Sequence, residues 1–146
     1  KVEEIHRLFT EPSLINEGAS LKEVVEAIIK DPKTRALYVV DKNKKLKGII
    51  VLKTVLKFAF LESIPEPYLD FTYFSSFMSI GPKAKKAGDM MLPPIYVKEN
   101  DTVKDAFALM MKNDLEEIPV VDNDLRVIGD LNVLELLELW LKKLGE

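Results

Sequence analysis

The sequence predicts an α+β fold in which two similar β-α-β-β-α units pack around a pseudo-two-fold axis, with a helical, aromatic-rich insertion between them. The first observation is an internal repeat: the stretch that begins at Leu8 returns at Met90, an offset of 90 − 8 = 82 residues. The second is that strand-like and helix-like apolar spacing alternates in the same order in both stretches. The third is that neither unit alone can cover both faces of a three-stranded sheet. Two related units imply a groove between them, which is typical of binding modules.

The boundaries of the units follow from the segments that repeat. Ser20-Leu21-Lys22-Glu23 corresponds to Thr102-Val103-Lys104-Asp105, and Val39-Val40-Asp41 corresponds to Val120-Val121-Asp122 after one residue drops out, at an offset of 120 − 39 = 81. We therefore predict a first unit over residues 1–56, an inserted helical segment over 57–86 and a second unit over 87–146.

The same order of elements is predicted in each unit from apolar periodicity, capping residues and turn residues. In the first unit it is a helix over 2–9, a strand over 14–16, a helix capped by Ser20 with Glu23 and closed by Pro32, strands over 36–40 and 46–51, and a helix from about Leu52. In the second it is a helical turn closed by Met90 and Met91, a strand over 95–97, a helix capped by Thr102 with Asp105, strands over 118–121 and 127–131, and a helix over 131–144.

The insertion differs in composition from the two units. Two prolines, Pro65 and Pro67, interrupt it, and it holds seven aromatic residues: Phe58, Phe60, Tyr68, Phe71, Tyr73, Phe74 and Phe77. These aromatics either complete the core or a dimer contact, or they form a lid over the groove or a docking surface for a partner protein.

Composition excludes several classes of function. With 21 Lys and Arg against 24 Asp and Glu, the net charge of −3 disfavours a nucleic-acid partner, and the lysines at 42, 44, 45 and 47 are interpreted as a solvated turn. The chain has no cysteine and one histidine, His6, which excludes thiolate sites and His-rich metal sites. The most apolar stretch, residues 48–61, carries Lys53 and Lys57 and is too short to span a bilayer. No signal peptide is recognisable, so we expect a cytoplasmic protein without membrane insertion.

Catalytic chemistry has no recognisable centre in this chain. No glycine-rich phosphate loop occurs, because the glycines are scattered at 18, 48, 81, 88, 129 and 145. The carboxylates fall mainly in helix caps, turns and polar helix faces rather than beside a nucleophile. We therefore do not expect an enzyme, a catalytic residue or a metal site.

The repeated pieces resemble a tandem pair of CBS domains, the Bateman module. The matching segments are Ala87-Gly88-Asp89-Met90-Met91, Ile118-Pro119-Val120-Val121-Asp122 and Val127-Ile128-Gly129-Asp130-Leu131-Asn132. The resemblance covers nearly the whole chain except the insertion. It implies two sheets facing each other, two clefts between the units that take adenine-containing ligands, pairing into a flat dimer, and a regulatory role in which an attached or partner effector protein responds to the ligand.

The family places a hydroxyl residue near the ligand phosphates, and three residues later an Asp that accepts hydrogen bonds from ribose. Here those positions are Val51 and Thr54 in the first unit, and Asn132 and Glu135 in the second. The resemblance therefore implies that the first cleft has lost nucleotide binding, apart from a hydroxyl contact from Thr54. The second cleft is the better candidate, because Asn can hydrogen-bond a phosphate and Glu can reach a ribose. Equally, Asn132 followed by Glu135 is a good capping pair for the last helix, and capping alone would explain both residues.

Further ligand contacts are implied by family position. Adenine is expected against the second unit's strand after the prolines and the strand beside it, where Tyr96 either stacks on the base or packs in the core. Asp130 is expected to face the cleft mouth, where its charge would disfavour triphosphates unless Mg²⁺ intervenes. Arg35 either reaches a phosphate across the interface or is a surface arginine. The expected adenine contacts are Pro94, Ile95, Tyr96, Val97, Ile118 and Pro119.

Two functions from different classes remain open at this point. One is a ligand-responsive regulatory module for AMP, ADP, ATP or another adenosyl compound, without an obligatory cofactor. The other is a structural dimerisation or protein-interaction module whose clefts are vestigial. The last helix is apolar on several sides, which predicts a homodimer with Trp140 at or near the interface.

Overall fold

The computed structural model describes residue 2 and residues 11–31, 35–61 and 86–144, and it contains two three-stranded sheets with helices packed on them. The elements in chain order are β1 Leu14–Asn16, α1 Leu21–Lys30, β2 Ala36–Val40, β3 Leu46–Val51, α2 Leu52–Leu61, α3 Ala87–Met90, β4 Val97–Lys98, α4 Val103–Lys112, β5 Glu117–Val121, β6 Val127–Asn132 and α5 Val133–Leu144. The predicted α+β fold with two β-α-β-β-α units is confirmed. The predicted helix over 2–9, apart from Val2, and residues 62–85 of the insertion lie outside the described residues.

The two sheets have the same topology and nearly the same register. In each, the first strand runs parallel to the second, and the second pairs antiparallel with the third. The irregularity in the first hairpin falls between Val39 and Val40, and the one in the second hairpin falls between Val120 and Val121. The sequence repeat is therefore a repeat of backbone hydrogen bonding.

Capping boxes start α1 and α4, as predicted. The Ser20 hydroxyl accepts a hydrogen bond from the Glu23 N–H at 3.2 Å, and a Glu23 carboxylate oxygen accepts one from the Ser20 N–H at 3.2 Å. Thr102 and Asp105 make the same exchange at 3.0 and 3.4 Å. Each box satisfies two backbone N–H groups that have no partner within the helix.

The strand β4 is shorter than predicted, since it covers Val97–Lys98 and the expected strand began at Ile95. In the first unit the Tyr38 N–H donates to the Ser13 carbonyl at 2.9 Å, which begins the parallel pairing. The residue that corresponds to Tyr38 in the second unit is Pro119, which has no N–H to donate. The parallel ladder therefore starts only at the pair Val97–Val120. Likewise, α5 begins at Val133 rather than Leu131, because Asn132 ends β6.

The two units meet through their hairpin turns around a pseudo-two-fold axis. The Leu46 N–H donates to the Leu125 carbonyl at 2.9 Å, and the Val127 N–H donates to the Lys44 carbonyl at 3.1 Å. These bonds are related by the repeat offset, since 46 + 81 = 127 and 44 + 81 = 125. Lys44 and Leu125 also share the same left-handed φ of 64°.

The segment after α3 crosses from the second unit to the edge of β3 in the first. Ile49 and Leu92 exchange two backbone hydrogen bonds, at 3.1 and 2.7 Å. A side chain at Gly48 would collide with this segment, because its Cβ would lie 2.5 Å from the Leu92 carbonyl oxygen. Glycine at this position lets the two backbones approach each other.

One core cluster joins both units. It includes Tyr38 and Ile49 from the first unit and Val97, Ile118 and Leu131 from the second, all fully buried. Among the described residues, the helices are all too short or too polar to cross a membrane.

Candidate functional site

The start of each unit's last helix is anchored to the residue before that unit's second strand. The Leu52 N–H of α2 donates to the Arg35 carbonyl at 3.1 Å, and the Val133 N–H of α5 donates to the Glu116 carbonyl at 3.0 Å. Arg35 corresponds to Glu116 in the repeat. In each unit the start of the last helix therefore lies beside the entry to the second strand.

A cavity of about 220 Å³ lies between the two units, beside the start of α2. The first unit contributes the strand entry and the helix start, and the second contributes the turn before β5. The lining residues are Arg35, Ala36, Val51, Leu52, Lys53, Asp114, Leu115, Glu116 and Glu117. The volume lies below the range of about 300–1,000 Å³ common for small-molecule sites, so a nucleoside-sized ligand would extend from the cavity along the cleft.

The cavity wall carries charges of both signs. The Arg35 guanidinium lies 3.5 Å from a Glu116 carboxylate oxygen, and both side chains are substantially exposed. The Arg35 N–H donates a hydrogen bond to a Glu117 carboxylate oxygen. Burial and then the nearby Asp130 charge raise the pKa of Glu117 to about 8, although the Arg35 backbone bond and charge act in the opposite direction.

At the start of α5, Asn132 and Glu135 form a capping box. The Glu135 N–H donates to the Asn132 side-chain oxygen at 3.0 Å, and the Asn132 N–H donates to a Glu135 carboxylate oxygen at 3.3 Å. Glu135 is only 5% exposed. In the first unit Val51 and Thr54 occupy these positions and cannot make this exchange.

The sequence comparisons match both halves of the chain to one family. The model of the CBS domain matches residues 2–60 and again residues 87–142. The chain belongs to the CBS domain family.

Solved structures of CBS proteins share the whole architecture. A CBS domain-containing protein from Thermotoga maritima is 31% identical, with 97% of this chain and 94% of that chain covered and a TM-score of 0.77. A CBS domain pair in complex with 5′-methylthioadenosine and S-adenosyl-L-methionine is 23% identical, with 97% and 96% covered and a TM-score of 0.71. CBSX2, a CBS-pair protein from Arabidopsis thaliana solved in complex with AMP, is 22% identical, with 95% and 96% covered and a TM-score of 0.71. A comparison with curated proteins finds no significant relative.

The CBS structure distributes the predicted adenine contacts between surface and core. Pro94 is exposed, and Ile95 and Tyr96 are half-buried and pack against the core cluster. The other three, Val97, Ile118 and Pro119, are buried. Through the Ile49–Leu92 pairing, the proline segment begins beside β3, the strand that leads to Val51 and the cavity. Direct ligand contact by these residues stays a prediction.

The remaining predicted contacts are also spread over more than one place. Arg35 lines the cavity beside α2, and Thr54 is half-buried in the first turn of α2. Asp130 lies in the interior, 2% exposed, where it accepts a hydrogen bond from the Tyr38 hydroxyl, rather than at a cleft mouth. The residues that correspond to Asp114 and Leu115 in the first unit fall within 32–34, outside the described residues.

Sequence reasoning did not single out Glu117, Tyr38 or Lys53. A signal for Glu117 was present, because the repeat aligns it with Ala36 of the first unit, and Asp130 with Ile49. An acid that replaces an apolar residue in an otherwise buried strand marks a special position. Within the described part of the chain, His, Asp and Glu side chains do not gather in groups of three that could hold a metal ion.

Proposed function

We propose that this chain is a regulatory module that binds an adenosyl compound in a cleft between its CBS units, catalyses no reaction and passes the bound state to an effector protein. The cavity beside α2 is the observation that supports this proposal. Two of the similar structures were solved with adenosyl ligands, one with 5′-methylthioadenosine and S-adenosyl-L-methionine and one with AMP.

The charges on the cavity wall suit the parts of such a ligand. Arg35 and Lys53 are cations beside the N-terminal end of α2, where the helix dipole favours a phosphate or carboxylate. The carboxylates of Asp114 and Glu116 on the opposite wall can accept hydrogen bonds from ribose hydroxyls or an adenine amino group. We infer that the ligand lies across the unit interface, with Thr54 within reach of its polar end.

Calorimetric titration with AMP, ADP, ATP and S-adenosylmethionine, with and without Mg²⁺, tests this proposal. We expect saturable binding at one site per chain. Arg35→Ala should weaken it by about tenfold to a hundredfold, because a hydrogen bond to a charged group contributes about 1.5–3 kcal/mol. No saturable binding at millimolar ligand across the panel would contradict the proposal.

A second pair of variants decides which cleft is used. Asn132→Ala breaks the capping box of α5, and Thr102→Ala breaks the matching box of α4. If the ligand occupies the first cleft, which contains the cavity beside α2, both variants keep the wild-type affinity. Loss of binding in Asn132→Ala alone would instead place the ligand in the second cleft with Asn132 and Glu135, and equal loss in both would indicate general destabilisation.

We further propose that the module forms a homodimer. The exposed apolar side chains on its helices favour this second role in dimerisation. A groove of about 730 Å³ between α4 and α5 is lined by apolar side chains, among them Phe107, Leu137 and Trp140. The first unit exposes apolar residues at matching positions: Ile29 corresponds to Met111 and Leu56 to Leu137, and all four are more than half exposed. A face that repeats around a pseudo-two-fold axis is suited to pairing with a second copy.

Light scattering at micromolar concentration measures the oligomeric state directly. We expect a dimer for the wild type and a monomer for Trp140→Lys, because a charge would be buried in the apolar contact. Glu138→Lys places the same new side chain at an exposed position of the same helix and should remain dimeric. A wild-type monomer would exclude this assembly.

A further inference from the structure

Three carboxylic acids are buried in the second unit at positions where the first unit has none. Glu117 is 5% exposed, Asp130 2% and Glu135 5%. The repeat aligns them with Ala36, Ile49 and Thr54. Buried carboxylates are costly unless they are hydrogen-bonded or protonated, so this asymmetry between two otherwise similar units calls for a physical reason.

Two of these acids, Glu117 and Asp130, make contacts across the interface between the units. The Tyr38 hydroxyl, on β2 of the first unit, donates to Asp130 on β6 of the second. The Arg35 N–H, just before β2, donates to Glu117 on β5. Glu117 and Asp130 therefore each accept a hydrogen bond from the first unit, whereas Glu135 accepts one from Asn132 of its own unit. The pair Glu117–Asp130 forms part of the contact that holds the two units together.

Glu117 and Asp130 are diagonal neighbours on one face of the β5–β6 hairpin, because Glu117 pairs with Asn132 and Asp130 pairs with Pro119. A bond between two carboxyl groups needs a proton, because two ionised carboxylates can only accept. Two buried carboxyls at neighbouring positions of one sheet face cannot both ionise without a large penalty. Tyr38 stays neutral and remains a donor, since burial and then the charges of Asp130 and Glu117 raise its pKa well above the usual value.

We propose that Glu117 and Asp130 share one proton beside the contact between the two units, and that loss of this proton loosens the contact and adds negative charge to the cavity wall. Glu117 belongs both to the acidic pair and to the cavity beside α2, because it is one of the residues that line this cavity. The proton is thus a ligand of the second unit, bound where that unit contacts Tyr38 and Arg35 of the first.

The charged and titratable groups around the pair determine the sign of the effect. Tyr38 faces it from β2 and Glu135 from α5, while the Arg35 guanidinium lies near Glu117 and is paired with Glu116. Across the cavity stand Lys53 and Asp114. Burial and the Asp130 charge raise the pKa of Glu117 from its ordinary 4.5 to about 8, against the opposing effect of Arg35. The folded protein therefore binds more protons than the unfolded chain between these values, and stability falls as the pH rises through that window.

Urea unfolding as a function of pH tests the proposal with a matched pair of variants. Glu117→Gln removes the titrating group and keeps an acceptor for the Arg35 N–H, whereas Glu116→Gln changes the neighbouring, exposed residue. Between about pH 5 and pH 8.5 the unfolding equilibrium constant of the wild type should rise at least tenfold relative to Glu117→Gln, because one unit of pKa shift corresponds to a factor of ten. Glu116→Gln should follow the wild type. Parallel pH profiles for wild type and Glu117→Gln would overturn the proposal.

A direct measurement covers the case in which Glu117→Gln does not fold. Carbon-detected NMR of protein with ¹³C-labelled glutamate side chains follows the Glu117 carboxyl itself. We expect a titration midpoint well above that of the exposed glutamates, and a lower midpoint in Asp130→Asn, which keeps an acceptor for Tyr38. An ordinary midpoint in the wild type would overturn the shared proton without reference to any ligand.

The proton also bears on the ligand, a consequence that rests on the proposed function. A protonated pair makes the cavity wall less negative, so a phosphate-bearing ligand should bind more weakly as the pH rises from about 6 to about 8.5, and this trend should be absent in Glu117→Gln. Calorimetry separates the two proposals. Binding without a pH trend would contradict only the linkage, and absence of binding at every pH would contradict only the adenosyl ligand.

Discussion

The Tyr38 side chain reaches from β2 of the first CBS unit to Asp130 on β6 of the second. It is fully buried, and it is among the largest side chains of the cluster that joins both units. Its ring adds apolar area to the core, and its hydroxyl donates a hydrogen bond to Asp130 of the acidic pair. One residue thus links core packing to the charge state of the interface.

Tyr38→Phe keeps the ring and removes the donor. We expect the free energy of unfolding at pH 7 to fall by about 1–3 kcal/mol, because Asp130 loses a hydrogen bond in a buried site where water cannot replace it. Tyr96→Phe removes the same hydroxyl from a half-buried position and should change stability by less than about 0.5 kcal/mol. Equal losses in urea unfolding of the two variants would show that the Tyr38–Asp130 bond contributes nothing specific.

The amino-acid sequence carries part of this arrangement. Aligning the repeat places Glu117 on Ala36 and Asp130 on Ile49, which marks both acids as departures from a buried pattern. That Tyr38 faces Asp130 could not be inferred, because the pairing depends on how two sheets from different units face each other. For Asn132 and Glu135 the capping interpretation was open from the sequence, and the box between them is formed.

Helix starts that are marked by capping residues close together in the sequence were predicted closely. The start of a strand that depends on its pairing partner was not. The capping boxes of α1 and α4 involve residues only three apart, so the sequence suffices to place both helix starts. The start of β4 depends on whether the facing residue has an N–H, and Pro119 has none. The helix α2 runs to Leu61, so it continues past residue 56, the end predicted for the first unit from the repeated segments.

The crossing segment at Gly48 gives a prediction at the level of elements. Gly48→Ala would place a Cβ 2.5 Å from the Leu92 carbonyl oxygen and 2.6 Å from the Met91 sulfur. The flexible Met91 side chain can move, but Leu92 is held by two backbone hydrogen bonds to Ile49. We expect a loss of about 1–3 kcal/mol in the free energy of unfolding, typical of overpacking.

Gly18→Ala is the matched control for this substitution. Gly18 is exposed, its φ is not positive, and an added Cβ would come no closer than 3.3 Å to the Asn16 side-chain oxygen. The change in stability should stay within about 0.5 kcal/mol. If Gly48→Ala were tolerated as well as Gly18→Ala, the close approach of the crossing segment to β3 would be excluded.

For the molecule as a whole, the shared core decides how it folds. The larger cluster takes Tyr38, Leu46 and Ile49 from the first unit and Val97, Ile118 and Leu131 from the second, and none of these is more than 6% exposed. The hairpin turns add reciprocal backbone hydrogen bonds across the same axis. Separating the units would therefore expose the inner face of each sheet to water, at a cost of about 25 cal/mol for each Å² of apolar surface.

A single unit should consequently be unable to fold alone. We expect the fragment 86–146 to show little cooperative unfolding by circular dichroism, whereas the complete chain should unfold in one transition seen by both tryptophan fluorescence and circular dichroism. Mixing it with the fragment 1–85 should restore cooperative unfolding, because the missing face is supplied in trans. A cooperative transition in the isolated fragment would mean that the second unit has a sufficient core of its own.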